Sequence, residues 1–86
     1  MKTVYKYSFT ITDYQKIKMP VGAKILMVTL QNEIPCLWAL VDTDMSKSEK
    51  YIRIVGTGHP IEDNAIYIGS FLMHHERLVF HVFEID

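Results

Sequence analysis

A chain of 86 residues has room for one domain, and nine Lys+Arg against ten Asp+Glu give none of the dense positive field that drives non-specific binding to DNA or RNA polymers. A hydrophobic fraction of 49% with 12% aromatics is too rich for a disordered chain, so one folded domain over residues 1–86 is expected. A core this small profits from added burial, and a homo-oligomer is expected over a monomer.

In chain order the periodicity is that of strands. Residues 2–10 alternate, spreading Val4, Tyr5, Tyr7 and Phe9 along a period-two ribbon, and Ile11-Thr12-Asp13 break it. Only residues 10–16 can hold a brief helical turn, with Thr12 or Asp13 as its cap. Gln15 to Met19 alternate again, and Pro20-Val21-Gly22-Ala23 read as a turn. Lys24 to Leu30 are nearly continuous in apolar residues, as expected of a strand covered on both faces. Gln31 to Ile34 form a short hairpin connection, and Pro35 to Val41 return as a strand with Trp38 as its strongest core candidate.

Asp42 to Glu49 is the most polar stretch and reads as a mobile loop. Lys50 to Val55 resume as a strand, and Gly56-Thr57-Gly58-His59-Pro60 leave it. Ile66 to Met73 and Arg77 to Ile85 form a final hairpin across His74-His75-Glu76. Seven short strands without a helix of useful length predict an all-β fold: one small antiparallel β-sandwich or barrel.

The lone cysteine, Cys36, cannot close an intramolecular disulfide or supply a zinc site. No apolar run reaches the ~18–20 residues that span a bilayer, and the first residues lack a leader's apolar segment. A reducing cytoplasm is expected, with no membrane partner.

Gly56-Thr57-Gly58-His59-Pro60 is the most unusual segment. Two glycines around a threonine let backbone N–H groups converge on an anion, to which the Thr57 hydroxyl and His59 imidazole add donors. The plainer reading is a strand exit whose glycines supply positive φ. The spacing is not that of a P-loop, and no Lys-Ser/Thr follows. His81 lies in the last strand between Phe80 and Val82, by default a core or interface histidine bonded to backbone. It becomes one half of an acid–base pair only if His59 converges on it. Tyr5, Tyr7 and Tyr67 can stack on a base while Arg53 or Arg77 takes a phosphate; the same rings equally make a core or an interface. The loop carboxylates lack calcium-loop spacing and the serines lack a nucleophile elbow, so no metal, cofactor or catalytic residue is expected.

Val4-Tyr5-Lys6-Tyr7, the stretches from Met19 to Leu26 and from Pro35 to Asp42, Gly56 to Ile61, Tyr67 to Phe71 and Leu78 to Glu84 together resemble a family of small proteins of tailed bacteriophages and prophages. That family is described only as a conserved domain of unknown function. The resemblance covers nearly the whole chain, except that His74-His75-Glu76 replace a Gly-Gly-like turn. It implies a phage accessory protein in the host bacterial cytoplasm and no established reaction. Such proteins commonly act by binding, and one class sequesters the nucleotide signals of anti-phage immunity. The expectation is therefore a non-enzymatic sponge for a phosphorylated nucleotide, with ligand contacts from Arg53, Gly56, Thr57, Gly58, His59, Tyr5, Tyr7, Tyr67 and His81. The alternatives are a protein–protein interaction module acting on a host or phage protein, and a small nucleotide hydrolase or lyase with His59 as acid–base.

Overall fold

The structure is a computed structural model describing residues 1–85. Seven strands form two antiparallel sheets: β1 (Lys2–Ser8), β2 (Tyr14–Pro20), β3 (Lys24–Gln31), β4 (Ile34–Asp42), β5 (Lys47–Gly56), β6 (Ile66–Met73) and β7 (Leu78–Ile85). One sheet has the order β1-β4-β3, the other β2-β5-β7-β6. The architecture is a sandwich and not a closed barrel, with each sheet keeping its own edges. Among the described residues no helix forms, and none is long and apolar enough to cross a membrane.

Alternation explains the core. Leu37, Ala39 and Val41 of β4 face inward at 0–2% exposure and meet Ile52 and Ile54 of β5, Val82 of β7 and Met19 of β2. A Phe9–Phe71–Phe80 chain of rings closes one end, with centroids 5.9 and 5.4 Å apart. At one seam β6 approaches β3 very closely. A Cβ on Gly69 would lie 2.7 Å from Val28 Cβ and Cγ2, so no larger residue fits without displacement. Bulges at Ile25/Met27 and Tyr67/Gly69 lie on those same two strands and add local twist there.

Four expectations need correction. Residues 10–16 hold no helical turn: Gln15 bonds the Thr10 backbone and Thr12 hydroxyl instead, and β2 starts at Tyr14. β5 begins at Lys47, inside the polar stretch read as a loop, because Lys47, Ser48 and Glu49 pair with Pro20, Met19 and Lys18. β3 is not covered on both faces, since Leu26 and Met27 are half exposed. Trp38 stands outside the core: Leu37 and Ala39 take the inward positions of β4, and strand alternation turns the indole to the outer face.

The connections hold their backbones by side-chain and turn chemistry. Asn32 and Glu33 both have positive φ, as a two-residue hairpin of the I′ kind requires. His74, His75 and Glu76 are three consecutive non-glycine residues in the left-handed region, with Arg77 N–H donating to His74 O to close the tip.

Candidate functional site

On β5, Ile52 and Ile54 point into the core, so Arg53 and Val55 point to the outer face of the four-stranded sheet. Register then sets a row Tyr14–Arg53–Phe83–Tyr67 and a row Val55–His81–Ser70 across that face. The chain after β5 turns at Gly56–His59, where His59 N–H donates to Gly56 O at 3.1 Å and Gly58 supplies a φ of +90°. The His59 ring packs over Gly56, with Cε1 3.3 Å from where a Cβ would stand. With the His59 amide already bonded, the turn offers an anion side chains more readily than converging N–H groups.

Arg53 fixes the chain beyond this turn. Its side chain is 12% exposed; Nε donates to Glu62 Oε1 at 3.0 Å, and the other nitrogens donate to the carbonyls of Asp13, Ile54 and Pro60. The Tyr14 ring lies 4.6 Å from its centre. The Arg53 hydrogen bond holds the Glu62 carboxyl below its ordinary range. Hydrogen bonding to that carboxylate in turn pushes the Tyr14 hydroxyl up. Arg53 is thus committed to holding loops.

His81 makes no backbone hydrogen bond through its ring. Its Nε2 lies 2.8 Å from Thr57 Oγ1 and its Nδ1 3.0 Å from Ser70 Oγ, which is itself 2.8 Å from Tyr67 Oη. This Thr57–His81–Ser70–Tyr67 relay replaces the core-histidine expectation. Both ring nitrogens meet hydroxyls, and a hydroxyl can donate or accept, so either tautomer is satisfied. Among the described residues no carboxylate bonds the ring, whose two nitrogens are met by the Thr57 and Ser70 hydroxyls.

Thr57 links this relay to a depression of about 430 Å3 lined by Gly56, Thr57, His59, Arg77, Leu78, Val79 and Phe80. Its chemistry is two-sided. Arg77, His59 and the Thr57 hydroxyl supply donors; Leu78, Val79 and Phe80, the last stacked on Phe71, supply an apolar wall. A second depression of about 300 Å3, at the Lys50 and Glu84 end, contains an ion pair already closed at 2.8 Å. Its charges are spent on each other.

The structure therefore brings together Gly56, Thr57 and His59, joins His81 to them through Thr57, and joins Tyr67 through Ser70. Gly58 shapes the turn without lining the depression. Tyr5 and Tyr7 pair with β4 in the other sheet, their rings edge-to-face at 6.5 Å, and are not part of this constellation. Arg77 and not Arg53 is the guanidinium beside the Gly-Thr-Gly turn. Ser70 was missed in the sequence because its role depends on standing directly across from His81. Among the described residues no group of three or more His, Cys, Asp or Glu is placed to hold a metal ion, and Cys36 is buried and free.

Fold and site together define a small antiparallel β-sandwich with an open cleft, cationic on one side and apolar on the other. The chain belongs to the family described as Domain of unknown function (DUF7352), whose model matches residues 1–86. Searches of the curated proteins and of the solved structures each give no match.

Proposed function

We propose that this chain is a phage accessory protein of the host bacterial cytoplasm that binds a phosphorylated nucleotide signal of anti-phage immunity and holds it without turnover. The observation that carries the reading is the depression of about 430 Å3 with Arg77, His59 and the Thr57 hydroxyl along one side and Leu78, Val79 and Phe80 along the other. That volume lies within the ~300–1,000 Å3 of small-molecule sites. A phosphate takes the donors; a base lies on the apolar wall, where Phe80 offers a ring face. Thr57 arrives with its hydroxyl positioned by His81, so less ordering is needed on binding. Holding a ligand needs no general base.

The test is a thermal-shift panel of nucleoside monophosphates, cyclic dinucleotides and ADP-ribose. It is run beside mass spectrometry of small molecules released by heat from protein purified out of cells with an active nucleotide-based defence. The expected result is a raised melting temperature with one class, its intact release, and loss of both in Arg77→Ala. A flat panel together with an empty supernatant overturns the reading. A cleaved nucleotide replaces it with hydrolysis, and His59→Ala is then the variant to assay.

A further inference from the structure

The outer face of the three-stranded sheet carries a cluster of exposed apolar side chains outside the core. Register places Val4 beside Leu40 and Trp38 beside Met27, and the bulge adds Leu26 opposite Trp38. Val4 is 48%, Leu26 50%, Met27 49% and Leu40 37% exposed. A bulge re-aims a side chain, and here it sets a second large apolar residue into water. These side chains present roughly 400 Å2 of contiguous apolar surface, the size that marks an interaction site on a soluble domain.

We propose that this face is the interface of a symmetric dimer of the chain. Area favours a second copy. Three strands of up to nine residues, with their lysine stems, offer roughly 700 Å2 of accessible surface, near the ~800 Å2 per partner of a standard interface. Charge favours it as well. Glu33 stands exposed at the β3–β4 hairpin tip, at one end of the face; at the other end Lys2 and Lys24 stand exposed, and Asp42, across from Lys2, is engaged by the N-terminal ammonium. A two-fold axis between the faces and across the strands lays the Glu33 end of one copy over the lysine end of the other, twice per dimer. Lys6 stands across from Trp38 within the face, its ammonium held by Gln31 Oε1 at 2.8 Å. Trp38 then sits near the centre of the buried area, where aromatic residues dominate interface energetics.

The inference rests on this surface alone and is independent of the ligand. Sedimentation equilibrium of the whole chain at about 1–100 µM reads it directly. The expected result is a dimer for the native chain and a monomer for Leu40→Asp. Leu40 faces outward, so the variant keeps its fold, checked by circular dichroism. Glu33→Lys weakens the dimer by about tenfold, and adding Lys24→Glu restores it. A native chain that sediments as a monomer at the highest concentration overturns the proposal, whether or not it docks on phosphatidylserine vesicles or on another protein. A dimer that survives Leu40→Asp overturns it too.

Discussion

Arg53→Met keeps the length and apolar stem of the side chain and deletes its charge and every donor. The loss can be worked out partner by partner. Asp13 O retains the Ile54 N–H at 3.1 Å, so it loses only a second bond. Ile54 O and Pro60 O lose the guanidinium outright, at ~0.5–1.5 kcal/mol each. The charge-assisted bond to Glu62 is worth more in a dry site. Glu62, however, is 33% exposed and rehydrates, which discounts that term to about 1 kcal/mol. The expected cost is about 2–4 kcal/mol, which in a domain of this size lowers the melting temperature by roughly 10–25 °C. Urea denaturation at neutral pH gives the free energy. A double-mutant cycle with Glu62→Gln isolates the pair, with an expected coupling of about 1 kcal/mol. A loss below about 0.5 kcal/mol for Arg53→Met refutes the view that this side chain holds the 57–65 connection. So does a variant that keeps its melting temperature while losing nucleotide binding, because Arg53 would then be a ligand contact.

The remaining predictions are briefer. Glu62 is held below its ordinary pKa by Arg53, so its contribution to stability is complete above the unfolded value near 4.5. That contribution is lost as pH falls through the lower folded value, and acid titration of Glu62→Gln should be flatter than that of the native chain across this window. Gly69→Ala drives a methyl to 2.7 Å from Val28 and should cost about 1–3 kcal/mol; with Val28→Ala added, the loss should fall short of the sum of the two singles in urea melts. Glu76→Gly relieves one of three successive left-handed residues and should raise stability by about 1 kcal/mol, read as a higher urea midpoint with unchanged slope.

Strand periodicity carried most of the fold because both sheets are antiparallel and the core uses every second residue. Leu37, Ala39 and Val41 are spaced as they must be to share a face. The sequence is misleading where apolar residues fill both faces. Nothing local distinguishes Trp38 from Leu37; only the pairing of β4 between β1 and β3 decides which of the two points inward. Polar Lys47 to Glu49 hid the start of β5 because their strand character comes from pairing with β2 and not from burial. In the site, the Gly-Thr-Gly-His turn was visible from composition. The relay behind it was not, because it depends on register. A three-residue tip across 74–76 would set Ser70 opposite Phe80, whereas the observed pairing sets it opposite His81. The choice between Arg53 and Arg77 likewise waited on the loops that enclose Arg53.

The strand order has a kinetic consequence. Only β3–β4 and β6–β7 are hairpins; β1 must wait for β4, β2 for β5, and β5 for β7, with partners such as Lys2 and Asp42 or Tyr14 and Arg53 far apart along the chain. Three of the five pairings therefore close long loops before any contact rewards them, and refolding belongs in the slow, millisecond-to-second class of β-sandwiches. Until β4 and β5 find their outer partners, both expose unpaired backbone edges at once. During that interval the nascent chain is most open to pairing with its neighbours.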